Sequence, residues 1–346
     1  MAYENNQYLD RPYLVSDVNI GEKIEQLISS VVPPSSPNIE LYREMMLTVA
    51  RMAEADRSRW EAKIMQQTLQ EMEDAFNLLG RFKRRRKVTV FGSARTAPEH
   101  PLYQQAKQLG ELISKQNMMV ITGAGGGIMA AAHEGAGTEN SLGLNIALPF
   151  EQGANATVKD SANLLTFHFF FLRKLFFVKE ADALVLCPGG FGTLDEAWEV
   201  LTLIQTGKSP LVPVVLLETS DSSYWRKSLE FIQTEMADEG YILPEDMELV
   251  RLVHTPEEAV QEITRFYSNF HSTRWQDNRF VVRIRHELTD EALEQINTQF
   301  GSLCRKECTQ GIQQVAYAEE LHNEPEFSKL TRLEFAFNTR DFGLLR

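Results

Sequence analysis

The sequence predicts an α/β protein built on a doubly wound parallel sheet, with a helical extension before it and a small α+β appendix after it. Three observations predict this. Between Val88 and Glu239, short apolar runs alternate with amphipathic stretches of helical length, the pattern of successive βαβ units. Two of the apolar runs end in glycine clusters, around Gly123–Gly127 and Gly189–Gly192, each just before a helical stretch. From residue 278 the texture changes to alternating strands and a lone helix.

The elements follow in order. Residues 1–37 read as irregular and end in a Pro- and Ser-rich linker, Val31–Pro37. Residues 38–86 form the helical extension. Its first helix starts at Asn38, a suitable N-cap, with Ile39, Tyr42, Met46, Val49 and Ala53 at helical spacing. Its second carries Met65, Leu69, Met72, Phe76 and Leu79 and stops at Gly80. The main domain, 87–270, has strands at Val88–Phe91, Met118–Thr122, Leu142–Leu148, Ala183–Leu186 and Leu211–Leu217. Its helices span about 102–116, 128–137, 169–180, 193–206 and 224–239. The appendix, 278–346, has strands at 280–284, 313–317 and 333–337 and a helix after Thr289.

Composition bounds the function. The chain has 346 residues, 43% hydrophobic and 24% charged, which suits a globular protein. A net charge of -13 disfavours broad attraction to nucleic acid or anionic membrane. The Arg81–Lys87 run is read as a solvated turn rather than a nucleic-acid patch. Three cysteines, Cys187, Cys304 and Cys308, are too few for a disulfide framework, and two at helical spacing make a poor metal site. The N-terminus lacks the features of a signal peptide and no run is long and apolar enough to span a membrane. The expectation is a cytoplasmic protein without a metal or organic cofactor.

Chemistry concentrates in two loops. Thr122–Met129 holds four glycines in five residues between a strand and a helix. Gly125, Gly126 and Gly127 let the backbone approach a ligand, and the following helix offers unpaired N–H groups. Cys187–Glu196 repeats the arrangement with Gly189, Gly190, Gly192, the Thr193 hydroxyl, and two carboxylates, Asp195 and Glu196, in the first helical turn. One such loop is explained by a tight βα turn; two at equivalent ends of one sheet favour a phosphate site. Gly125-x-Gly127-x-x-Ala130 also fits a loose dinucleotide fingerprint, but a dinucleotide site has little use for a second glycine turn backed by a carboxylate. No P-loop Gly-Lys-Ser/Thr follows the glycines, and no Gly-x-Ser-x-Gly elbow is present. Arg173 and Lys174 interrupt an apolar helix, either snorkelling from it or forming a cationic edge over a nucleotide. Phe167, Phe169 and Phe170 are read as core before base-stacking residues.

Pro188–Glu196 (PGGFGTLDE) resembles the PGGxGTxxE motif of the LOG family, once labelled as lysine decarboxylases. The similarity covers about residues 87–240, including Val88–Arg95 (VTVFGSAR), Gly123–Met129, Leu148–Gln152 and Arg173-Lys174. It implies a Rossmann-like doubly wound fold, usually a homodimer, and a phosphoribohydrolase that cleaves a nucleoside 5′-monophosphate to free base and ribose 5-phosphate. AMP and cytokinin riboside monophosphates are the substrates implied. By the same resemblance Arg173 and Glu196 are the catalytic pair. Gly189, Gly190, Phe191, Gly192 and Thr193 form the phosphate loop, with Asp195 near the substrate where many members have Glu. Glu151, Lys174 and Thr202 are substrate contacts; Ser93 joins Gly125, Gly126 and Gly127 in the substrate-binding set. Lysine decarboxylation would need pyridoxal phosphate on a lysine, and no motif supports that. A non-catalytic nucleotide carrier or sensor on the same fold is the alternative.

Overall fold

The computed structural model describes residues 18–148, 153–307, 310–318 and 324–346. The chain forms two compact units, Met1–Gln70 and Glu71–Arg346. In the first, α1 (Val18–Val31) and α2 (Ile39–Glu54) share a small core of Ile24, Ile28 and Leu47. Helix α1 falls where the sequence reading expected irregular chain. Its Ile20, Ile24 and Ile28 recur every fourth residue, a helical stripe overshadowed by the prolines behind it. Asn38 stands at the α2 N-cap, but its side chain makes no capping hydrogen bond. The unit boundary falls inside α3 (Arg59–Gly80), which ends at the expected glycine.

In the second unit, β1 (Lys87–Phe91), α4 (Pro101–Lys115), β2 (Met119–Thr122), α5 (Ile128–Ala136), β3 (Ser141–Ile146) and β4 (Leu164–Phe167) come first. They are followed by α6 (Phe170–Glu180), β5 (Ala183–Leu186), α7 (Phe191–Gln205), β6 (Val214–Leu217), α8 (Tyr224–Ile232), β7 (Val250–Val253) and α9 (Pro256–Phe266). The seven strands form one sheet in the order β4-β3-β2-β1-β5-β6-β7. Every pairing in it is parallel. The chain winds outward from β1 to β4, then returns to the other side of β1 as β5. This reversal opens a crevice at the carboxyl ends of β1 and β5, where sheets of this type bind ligands.

Strand alternation builds the two faces. Val88, Val90, Val120 and Val185 pack against α4, α5 and α9, while Phe91, Met119, Ile121 and Leu184 pack against α3, α6 and α7. Two strands of this sheet and helix α9 lay outside the sequence pattern. In β4, only Phe167 is buried, Leu164 and Leu165 being half-buried and Thr166 exposed, so the apolar signal is weak. In β7, Val250–Val253 holds an arginine and is buried only at its end. Strand β6 begins at Val214 rather than Leu211 because Pro213 intervenes; its carbonyl accepts from the Leu184 N–H at 2.9 Å.

The appendix is a second, antiparallel sheet in the order β10-β11-β9-β8, formed by β8 (Phe270–Gln276), β9 (Arg279–Ile284), β10 (Gln313–Val315) and β11 (Thr331–Phe335), with α10 (Asp290–Phe300) beside it. Phe280, Phe335, Phe337 and Phe342 form its core.

The basic run is not simply a solvated turn. Arg81, Lys83 and Arg84 are exposed, but the last three residues are built into the fold. Arg85 donates to the Asn140 side chain at 2.8 Å. Arg86 pairs with Asp182 at 3.0 Å and lies over the Tyr267 ring. Lys87, 4% exposed, pairs with Glu180 at 3.1 Å. Burying these cations requires such partners. Among the described residues no helix is long and apolar enough to cross a membrane. Cys187 is a buried free thiol and Cys304 is half-buried; Cys308 lies outside the described residues.

Candidate active site

The two glycine loops leave the carboxyl ends of β2 and β5, the strands on either side of β1. Ser93, just beyond β1, lies between them. Its N–H donates to the Pro188 carbonyl at 3.1 Å, and its carbonyl accepts from the Ile128 N–H at 3.0 Å. Both loops are therefore tied to one residue. Two glycines are required for this closeness. At Gly127, φ is +59° and a Cβ would stand 2.2 Å from the Ser93 carbonyl oxygen. At Gly189, a Cβ would stand 2.2 Å from the Thr193 hydroxyl and 3.0 Å from the Ser93 nitrogen.

The β5 loop runs directly into α7. Gly190 is the N-cap, and its carbonyl accepts from the Thr193 N–H at 3.0 Å. The helix thus opens at Phe191, two residues before the position expected, because the glycines permit the turn so early. Asp195 and Glu196 consequently stand in the second turn, not the first. The helix end still presents N–H groups and its positive dipole end to the loop. Phe191 at the tip is 92% exposed.

The β2 loop is held from within. Thr122 Oγ1 accepts from the Ala124 N–H at 2.9 Å. Asn155 donates from its backbone to the Ala124 carbonyl at 2.7 Å and from Nδ2 to the Gly125 carbonyl at 3.1 Å. The same Nδ2 lies 3.3 Å from His133 Nδ1. Since Nδ2 can only donate, His133 Nδ1 accepts, and Nε2 carries the proton toward Leu142 O or Thr122 Oγ1, each 3.2 Å away. Burial lowers the His133 pKa to about 4, only partly offset by the hydrogen bond it donates to the Leu142 carbonyl.

Helix α6 brings the cations. Arg173 lies 4.9 Å over the Phe170 ring, and a Cβ on Gly123 would stand 3.7 Å from Arg173 Nη1. Its guanidinium thus reaches the β2 loop. Lys174 Nζ pairs with Asp195 and with Glu199, each at 2.7 Å. Burial alone would lower the Lys174 pKa, but the hydrogen bonds to Asp195 and Glu199 and the charge of Glu196 leave it raised. The Phe cluster divides by exposure. Phe167 is buried and stacked on Phe176, as a core residue; Phe169 is half-buried, and Phe170 is 49% exposed.

Glu196 is the electrostatic centre. It is 3% exposed, and its Oε2 accepts no hydrogen bond. Burial raises its pKa to about 7, with Asp195 and Glu199 pushing the same way and Lys174 and Arg173 opposing. A carboxylate poised near neutrality beside two cations is a hallmark of a functional site.

A family model described as a possible lysine decarboxylase matches residues 128–263. Cytokinin riboside 5′-monophosphate phosphoribohydrolase LOG7 of Arabidopsis thaliana is 31% identical over 198 residues, covering 55% of this chain and 85% of that protein. The cytokinin riboside 5′-monophosphate phosphoribohydrolase of Rhodococcoides fascians is 32% identical over 162 residues, covering 45% and 78%. The chain belongs to the LOG family. Among solved structures, the molybdenum cofactor binding protein of Rippkaea orientalis is 22% identical and covers 53% of this chain and 98% of that one, with a TM-score of 0.38.

Within this LOG chain, Ser93, Gly125–Gly127 and Gly189–Thr193 converge on the crevice, and Arg173, Lys174, Asp195 and Glu196 gather on the facing parts of α6 and α7. Thr202 does not join them closely. It lies two turns further along α7, with its hydroxyl bonded to the Trp198 carbonyl at 2.7 Å. Glu151 lies outside the described residues, as does most of the Leu148–Gln152 stretch. Sequence reasoning missed three supports. Glu199, four residues after Asp195, was legible from helical spacing alone. Asn155 and Tyr224, whose hydroxyl donates to the Gly189 carbonyl at 2.8 Å, act across long stretches of chain and leave no local signal.

Proposed function

We propose that this LOG-family protein hydrolyses the N-glycosidic bond of a nucleoside 5′-monophosphate, giving free base and ribose 5-phosphate. The observation that carries this reading is Glu196: buried, half-ionised near pH 7, and placed one turn behind a glycine loop at a helix N-terminus. The relatives' names supply the reaction, and the site supplies residues suited to each part of it.

The phosphate would sit on the Gly189–Thr193 turn, with Ser93 and Gly125–Gly127 closing the other side. Helix ends bind anions but stabilise ground and transition states alike, so they contribute little to the chemical step. Cleavage of the C1′–N bond builds positive charge on the ribose. The Glu196 carboxylate would stabilise that charge and accept the proton of the attacking water. The bonding electrons leave with the base, which takes up a proton. Arg173 would hold the nucleotide and stabilise the departing base. Lys174 keeps Asp195 and Glu199 in place, and Asp195, exposed at the mouth, can reach a ribose hydroxyl.

AMP and N6-substituted AMP of the cytokinin type are the substrates of choice. A homodimer is the assembly this reading favours: Phe170, Phe171 and Leu175 of α6 and Phe191 of α7 leave large apolar area exposed beside the site, more than single scattered residues would. The direct test incubates the full chain with a panel of nucleoside 5′-monophosphates and measures free base by chromatography. Adenine release from AMP or its N6-substituted analogue is the expected result. Binding without base release from any member would overturn the hydrolase reading in favour of a carrier or sensor.

A further inference from the structure

A cleft of about 380 Å³ lies at the amino end of the large sheet, away from the glycine loops at its carboxyl end. Leu211, just before β6, and Arg251, near the start of β7, contribute to its wall, with α9, β8, β9 and the last residues of the chain. The volume is within the usual range for small-molecule sites. The polar side chains of the lining are Arg251, Arg265, Arg346, Glu262 and Thr273, three cations against one carboxylate in a chain of net charge -13. Phe266, Phe270 and Val282 add apolar surface. One cation is spent within the fold. Arg346, its side chain 8% exposed, pairs with Glu262 at 2.7 Å and lies 5.5 Å over the Phe266 ring. The other two are not. Arg251 is exposed, and its ion pair among the described residues is a loose one with Glu248 at 3.9 Å. Arg265 is exposed and forms no ion pair among the described residues.

From this we infer that the cleft is a binding site for a small organic phosphate. A phosphate dianion matches Arg251 and Arg265 in charge, and its oxygens suit the paired N–H groups of a guanidinium. The apolar side chains receive the organic part. The chemistry disfavours other classes. A monocarboxylate carries charge for only one of the two arginines. A cation would meet three of them. A neutral apolar molecule would gain nothing from any. The carbonyl end of α9 opposes an anion and favours Arg265, but a helix end carries only about half a charge, less than the two arginines supply. The site is separate from the glycine loops, and the inference does not depend on the reaction proposed for them.

The test uses phenyl phosphate, by calorimetry at low salt and by soaking crystals of the full chain. Benzoate, with one charge fewer, and inorganic phosphate, without the ring, are the controls. Phenyl phosphate should occupy the cleft and bind at least about tenfold tighter than either control, the effect of one further charge-assisted hydrogen bond or of a buried ring. The double variant Arg251→Gln/Arg265→Gln changes only exposed side chains. It should keep the parent's Tm and lose at least about tenfold in phenyl phosphate affinity. The idea fails if phenyl phosphate is absent from the cleft or sits only at the glycine loops, if either control binds as tightly, or if the double variant keeps the parent's affinity.

Discussion

The Lys174 ammonium lies 2.7 Å from the Asp195 carboxylate, joining α6 to the second turn of α7. The adjacent residue, Glu196, has no such partner at Oε2 and is buried instead. One exposed, paired carboxylate thus adjoins one buried, high-pKa carboxylate, and under the proposed reaction the first would serve binding and the second proton chemistry.

Glu196→Gln removes the charge and keeps the shape. Turnover with AMP should fall by roughly 10²–10⁴-fold, the usual worth of a positioned acid or base. Nucleotide affinity, measured by calorimetry, should change little. An equal loss in both would make Glu196 a binding residue.

The pH dependence carries a definite sign. If the ionised carboxylate acts, kcat/KM should rise with pH up to about 7 and level off above it, following the raised pKa of Glu196. Lys174 holds that pKa down, so Lys174→Met should move the limb to higher pH. Stability runs the opposite way. The folded pKa of Glu196 lies above its unfolded value, so the folded state binds the extra proton and stability declines as pH rises from 4.5 to about 7. Glu196→Gln should therefore gain in Tm relative to the parent protein between pH 5 and pH 8, which calorimetry would detect.

Gly127→Ala should be severe. The added methyl meets the Ser93 backbone, which cannot rotate away, in a conformation already at positive φ. A loss of about 1–3 kcal/mol from backbone strain, with more from the clash, is expected in urea unfolding. Gly190→Ala, where nothing stands within 4 Å of the new methyl, should be mild by the same measurement.

His133 should resist protonation until about pH 4 in an NMR titration. Its folded pKa is depressed, so the unfolded chain takes the proton first, and stability falls as pH drops from 6.5 toward 4 by roughly 3 kcal/mol in all. Asn155→Ala removes the bond to Gly125 and to His133. It should raise KM for the nucleotide more than it lowers kcat, because the β2 loop loses its internal tie. Unchanged KM would show that the loop is held without it.

The sequence by itself determined the alternation of the central sheet, because strands buried on both faces must be apolar and their helices amphipathic. It also determined the two glycine loops and the carboxylates behind the second, since tight backbone approach leaves no other residue type. It missed α1, β4, β7, α9 and β8, whose apolar signals are short or diluted by polar residues. Only the tertiary structure decided that Ser93 joins both loops, that α7 begins early enough to move Asp195 and Glu196 into its second turn, and that Lys87, inside a run of positive charge, is buried against Glu180. Each depends on a partner from a distant stretch of chain. Local spacing encodes which face a residue takes, but burial and charge pairing are set by what the fold brings to that face.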